Sequence, residues 1–303
     1  MQWNNEGKDW PNRESSRFIK LGNLVWHVQI MGEGPVLLLA HGTGASTHSW
    51  RDLMPALAKH FTVVAPDLQG HGFTGSPPSY RLTLNDMASG LSGLMKAMGY
   101  APEVVVGHSA GAAILARMVL DGGIAPKVLI ALNGAMLPLP GFMGQFWEGS
   151  AKMLTLIPAV PWFFSWRARQ PGAVEKLIDS TGSKIDDAGK QYYARLLHDP
   201  VHVGNVLAMM ANWDLHGLQR DLPSLPCRLV LVAADNDRAV PPKVARKIAA
   251  LVPGAKLIVQ HSYGHLSHEE APAETAALIV QAAAVAEEGQ GALPPGPPLR
   301  TSP

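Results

Sequence analysis

Residues 104–113 read VVVGHSAGAA, an apolar run that ends in a serine set between two glycines and passes at once into small residues. The chain has 30 glycines, so a Gly-x-Ser-x-Gly match has little weight by itself. Its surroundings supply the weight. EVVV (103–106) has the residues of a buried strand, GHSAG (107–111) those of a sharp turn, and AAILARMVL (112–120) those of a helix. A serine at such a strand–turn–helix elbow adopts a strained backbone, and its neighbours must be small to clear the crossing chain. Gly107, Ala110 and Gly111 meet that need, which makes Ser109 the candidate nucleophile.

Further unbroken apolar runs stand on either side: LVWHVQI from 24, PVLLLA from 35, FTVVAP from 61, KVLIAL from 127, RLVLVA from 228 and KLIVQ from 256. Runs of this kind suit strands covered on both faces of a mostly parallel sheet. Helices are predicted between them near 48–60, 83–98, 110–120, 242–252 and 272–287, and the alternation defines an α/β fold. Residues 134–216 break the rhythm, lack strand signals and read as an inserted helical cap. The core is then discontinuous, 1–133 and 217–288. The tail 289–303, GQGALPPGPPLRTSP, has the composition of a disordered segment.

A serine hydroxyl needs a base to take its proton and a carboxylate to orient that base, and on an elbow of this type the order along the chain is serine, acid, histidine. After RLVLVA comes ADNDRAVPP (234–242), with Asp235 and Asp237 both in a loop at a strand's carboxyl end. After KLIVQ comes HSYGHLSHEEAP (261–272), in which His265 follows the flexible Gly264 and is the best placed to lean out toward Ser109. His261, at the strand end, and His268, at the approach to a helix, read as structural. The three histidines would bind a metal only on a continuous helix, which Gly264 and the preceding strand oppose, so no metal site is expected. An acyl-transfer site also needs N–H donors for the oxyanion. HGTGAS (41–46) leaves the N–H of Thr43 free to face that of Ala110.

His41 reads first as a residue that holds its loop. With His108 and the cap aromatics Phe142, Phe146, Trp147 and Trp162 it completes the candidate substrate contacts. Phe163, Phe164 and Trp166 belong to the same aromatic-rich region, whose plainest reading is the cap's own core; a binding wall or a surface-docking wedge are the others. A net charge of +1 excludes a broad basic field for nucleic acid or an anionic membrane. Cys227, the single cysteine, excludes an internal disulfide. The absence of a signal-peptide pattern and of a long apolar run leads us to expect a cytoplasmic protein without a transmembrane segment.

Taken in order, HGTGASTHSW, PDLQGHGFTGSP, GHSAG, DNDRAVPP and YGHLSHEEAP resemble the α/β-hydrolase superfamily over roughly residues 20–290. The resemblance implies the α/β-hydrolase fold with a cap after the sixth strand. It also selects Asp237, four residues before Pro241, as the acid, and His265, after a glycine, as the base. More narrowly, DWPNRESSRF (9–18) followed by VWHVQIMGEGPVLLLAHGTGASTHSWRDL (25–53) resembles the magnesium-chelatase accessory proteins of bacteriochlorophyll biosynthesis. That implies a role around magnesium insertion into protoporphyrin IX and chelatase subunits as partners. The chain lacks a Gly-x-x-x-x-Gly-Lys-Ser/Thr loop, so it is not expected to be the ATP-driven subunit, and no cofactor is expected. Two readings follow. One is a serine hydrolase acting on an ester or thioester, with a tetrapyrrole as candidate substrate; the other is a non-catalytic porphyrin-binding or chelatase-docking factor. A third reading is peripheral membrane contact through PWFFSWRARQP (161–171), where Arg167 and Arg169 follow the apolar run.

Overall fold

A computed structural model describes residues 1–138, 157 and 159–287. Eight strands, β1 (Ser16–Leu21), β2 (Leu24–Met31), β3 (Val36–Ala40), β4 (Thr62–Pro66), β5 (Val104–His108), β6 (Val128–Leu132), β7 (Arg228–Ala234) and β8 (Lys256–Gln260), form one sheet in the order β1-β2-β4-β3-β5-β6-β7-β8. Strand β2 runs antiparallel to β1 and β4, and every other pairing is parallel.

The register shows why the central strands are apolar throughout. Leu38, Val105, Leu129 and Leu229 lie side by side across β3, β5, β6 and β7, and all four belong to the larger core beneath the helices Leu84–Met98, Ala110–Leu120 and Lys243–Leu251. Their successors Leu39, Val106, Ile130 and Val230 point to the opposite face, into a second core closed by Leu53–Leu57 and Pro272–Glu287. Successive side chains alternate between faces, so a sheet covered on both sides demands apolar residues at every position. Each fully buried Val or Leu contributes about 1.5–3 kcal/mol over leaving it exposed.

Strand β1 was not signalled by an apolar run. SRFIKL sits at the sheet edge with its side chains exposed or half-buried, so it carries no continuous hydrophobic stretch. The helix expected over 48–60 resolves into a 3-10 turn, Thr47–Trp50, and the short helix Leu53–Leu57. Thr47, His48, Ser49 and Trp50 are all buried, and hydrogen bonds to side chains elsewhere hold the tighter turn.

Between β6 and β7 the described residues form the helices Ala159–Ala168, Ala173–Ser180, Asp187–Leu197 and Pro200–Ala211, followed by the short helix His216–Asp221. Asp186 and Asp199 cap Asp187–Leu197 and Pro200–Ala211 by accepting from the N–H groups of Gly189 and Val201, and Pro200 begins its helix where no N–H is needed. The N-terminal arm ties this insert to the sheet. Trp10 is buried between Phe73 and Tyr192 and donates to Thr47 Oγ1 (3.0 Å), while Arg195 pairs with Asp9. No helix among the described residues is long and apolar enough to cross a membrane.

Candidate active site

Ser109 stands between β5 and the helix Ala110–Leu120 with φ 51° and ψ −118°, a region that side-chain-bearing residues rarely occupy. Such strain costs about 1–3 kcal/mol and persists only where surrounding bonds hold it. Here the Ser109 N–H donates to Leu132 O (3.0 Å), and its carbonyl accepts from Ala112 N (3.2 Å) and Ala135 N (3.0 Å). The glycines allow the close crossing. A Cβ on Gly111 would lie 2.1 Å from Ala40 O, and one on Gly107 would lie 2.4 Å from Ala112 Cα, so neither position has room for a side chain.

The loops after β7 and β8 bring the candidate acid and base together. His265 Nδ1–H donates to Asp237 Oδ2 (2.8 Å), while Asp237 Oδ1 accepts from the N–H groups of Ala239 and Val240, both at 2.8 Å. Asp237 is buried, and its bond to Nδ1 leaves His265 Nε2 as the basic nitrogen. Asp235 takes a different course. Its carboxylate accepts from His261 Nδ1 (2.9 Å) and Ser262 N (2.7 Å) at the exposed margin of the loop. No hydrogen bond joins Ser109 Oγ to His265 in this structure. The His108 ring, next to Ser109 in the chain, packs 4.7 Å from that of His265 and so sets the base loop against the elbow.

Sequence reading missed the supports of that loop. His265 O accepts from His108 Nε2 (2.9 Å) and Asn133 Nδ2 (3.1 Å). On the other side, a turn of the insert reaches in. Thr181 O accepts from both His265 N (3.3 Å) and Arg238 N (3.1 Å), and Ser183 Oγ accepts from Leu266 N (2.8 Å). Gly182, at φ 84°, comes so close that a Cβ there would lie 2.0 Å from Asn236 O. Beneath them His268 donates to Ser49 Oγ (2.8 Å), which donates in turn to Glu269 (2.7 Å), and Glu269 also accepts from Arg51 and Tyr193. Thr-Gly-Ser in an inserted segment carries no local signal of such a role, because its partners lie more than fifty positions along the chain.

Burial sets the charge state of the surrounding imidazoles. It holds His108 well below its ordinary pKa, with His268 and His265 adding repulsion, and pushes His268 down to about 3. His41 is buried, donates from Nδ1 to Gly42 O (2.8 Å) and accepts at Nε2 from Leu68 N (2.9 Å), so both ring nitrogens are spent on loops. Its pKa is lowered by burial as well. Burial would raise the Asp67 carboxyl, but His27 at 2.7 Å and the N–H of Phe73 outweigh that and keep it ionised.

The N–H groups of Thr43 and Ala110 have no acceptor among the described residues, and Thr43 Oγ1 leans toward Met209 Sδ (3.8 Å) in the insert. Trp162 lies on the outer side of its helix, exposed to solvent. Phe142, Phe146, Trp147 and the tail 289–303 lie outside the described residues. Among the described residues no three His, Cys, Asp or Glu side chains are grouped to hold a metal ion.

Residues 37–278 match the model of the alpha/beta hydrolase family. The chain is 37% identical over 274 residues to the magnesium-chelatase 30 kDa subunit of Rhodobacter capsulatus, covering 90% of this chain and 95% of that protein. It is 29% identical over 280 residues to the pyrrolizixenacetamide deacetylase of Xenorhabdus hominickii, covering 86% and 95%. The fold is shared with an esterase from Exiguobacterium antarcticum, with a TM-score of 0.73, 17% identity and coverage of 88% of this chain and 98% of that one.

Proposed function

The chain belongs to the alpha/beta hydrolase family, and from that premise we propose that it is a serine hydrolase acting on an ester or thioester in the service of bacteriochlorophyll biosynthesis. The observation that carries the reading is the buried His265–Asp237 hydrogen bond of 2.8 Å set beside the strained elbow at Ser109. Ser109 Oγ attacks the substrate carbonyl while His265 Nε2 takes its proton. Asp237 holds the imidazole in the required tautomer and stabilises the imidazolium. The developing oxyanion is received by the N–H groups of Thr43 and Ala110. Collapse of the tetrahedral adduct expels the alcohol or thiol, which leaves with the proton from His265. Water then attacks the acyl-enzyme with His265 again as base, releasing the acid and restoring Ser109.

The biological setting rests on the 37% identity to a magnesium-chelatase subunit and on the N-terminal sequence resemblance. Chelatase subunits are therefore the proposed partners, and an ester-bearing tetrapyrrole is the proposed substrate. Residues 134–216 act as its cap.

Intact-mass analysis after treatment with a fluorophosphonate tests the chemistry, because that reagent needs both an activated serine and an oxyanion site. One adduct is expected on the wild type and none on Ser109→Ala. The absence of an adduct on folded wild-type protein refutes turnover. A non-catalytic scaffold that binds a porphyrin or docks on chelatase would then remain, to be read by saturable quenching of tryptophan emission by protoporphyrin.

A further inference from the structure

Among the described residues, the helix Ala159–Ala168, AVPWFFSWRA, is attached by one side only. Ser165 is buried and donates to His198 O (2.7 Å), and Pro161 packs on the helix Pro200–Ala211 at Gly204. The opposite side carries four large aromatic side chains in the open: Trp162 at 65% exposure, Phe163 at 56%, Phe164 at 48% and Trp166 at 57%. The Phe163 ring lies 5.7 Å from that of Phe164 and 6.0 Å from that of Trp166, so these three rings form one continuous patch. Single exposed apolar residues are ordinary, but a contiguous aromatic cluster marks a surface that is covered in use.

We propose that this face docks the protein on a lipid bilayer bearing anionic headgroups. The residue types favour that occupant. Tryptophan suits the boundary between hydrocarbon and headgroups, with an apolar body and a polar N–H tip. The helix carries no acidic residue, and the exposed cations Arg167 and Arg169 follow the aromatic patch directly, where they would meet lipid phosphates. Arg169 spends one guanidinium nitrogen on His198 O (3.0 Å) and keeps its other donors. At ten residues the helix is about 15 Å long, half of a bilayer's hydrocarbon thickness, so it lies in the interface and does not cross it. The patch belongs to the same insert whose Thr181–Ser183 turn braces the base loop, so docking would place the proposed active site beside membrane-dissolved, amphiphilic molecules. The inference stands apart from the chemistry assigned to Ser109.

Vesicle flotation of the full chain tests it, using phosphatidylcholine vesicles with and without phosphatidylglycerol. The wild type is expected to float with the mixed vesicles. The double substitution Phe163→Ser with Trp166→Ser is expected to weaken partitioning at least about tenfold, because two rings no longer leave water. Arg167→Gln with Arg169→Gln should cost about fivefold per arginine on mixed vesicles and leave binding to pure phosphatidylcholine unchanged. Fluorophosphonate labelling in solution should be the same in all variants, which separates a failure here from a failure of the hydrolase reading. Wild-type protein that stays in solution with both vesicle types overturns the proposal. So does equal flotation of the aromatic variant, or self-association abolished by that variant in the absence of any lipid binding, which would assign the patch to a second copy of the chain.

Discussion

Ser109 and His265 occupy opposite sides of one site and are held by different means. The serine rests where β5 meets the helix Ala110–Leu120, and its backbone partners come from the elbow itself and from Leu132 and Ala135 at the end of the adjacent strand β6. The histidine rests on a loop after β8, and its supports come from His108, Asn133, Thr181 and, through Leu266, Ser183. One half is built by the sheet. The other half is propped by side chains and by a turn of the insert, so the insert has a direct mechanical path to the candidate base. Close-packed sheets tolerate little movement, whereas a loop held by individual hydrogen bonds loosens when any one of them is removed.

The strongest way to break the comparison is Asp237→Asn, which leaves the loop in place and alters only the tautomer and charge behind His265. Turnover of a model ester is expected to fall on the order of 10⁴-fold with the melting temperature little changed. A comparable loss of stability would show that the carboxylate holds the loop and not the base.

Acid probes the two halves together. The buried imidazoles His41, His48, His71, His108, His202 and His268 all have lowered pKa values, chiefly because burial disfavours their charged form, with His202 at about 4 and His268 at about 3. Above the ordinary value of 6.5 both folded and unfolded chains leave them neutral, and they contribute no pH dependence. Below it the unfolded chain binds protons that the folded chain refuses, so stability falls as pH drops from 6.5 toward those folded values. His202 and His268 should each cost about 1.4 kcal/mol per pH unit in that window. Hydrogen exchange near pH 5 should show the segments carrying His41, His48, His71, His202 and His268 opening before the amides of β5 and β6; simultaneous opening would mean the two halves form one cooperative unit.

A pair of glycine substitutions sharpens the contrast. Gly111→Ala drives a methyl into Ala40 O and should cost roughly 3 kcal/mol of stability or prevent folding. Gly182→Ala is opposed by both its positive φ and Asn236 O, but the atoms it displaces are those of the loop that carries Asp237. A shift of about 1 Å there is expected to lower kcat on the order of 10–100-fold while most of the stability survives. The mildest test is Ser183→Ala. Loss of its acceptor to Leu266 N should destabilise by about 1–2 kcal/mol and lower kcat more than it raises KM; an unchanged kcat would remove the insert from the support of His265.

Much of this was legible in the chain. The seven apolar runs mark β2 to β8, the central ones apolar because both their faces are covered, and β1, at one sheet edge with exposed and half-buried side chains, escaped for want of such a run. VVVGHSAGAA determined the elbow, since the glycines and alanines around Ser109 answer a steric requirement that is local. Order along the chain placed an acid after β7 and a histidine after β8. It could not choose between Asp235 and Asp237 from composition, and family resemblance made that choice. The tertiary structure supplies the physical difference: Asp235 turns outward to His261, while Asp237 turns inward to His265 and to two backbone N–H groups. It alone decided that Asn133 and His108 grip the base's carbonyl, that Thr181, Gly182 and Ser183 brace its loop, and that four aromatics of the insert face solvent and not a core. Local sequence encodes what neighbours in the chain require of one another, but contacts across fifty or more residues depend on how the insert is laid over the sheet.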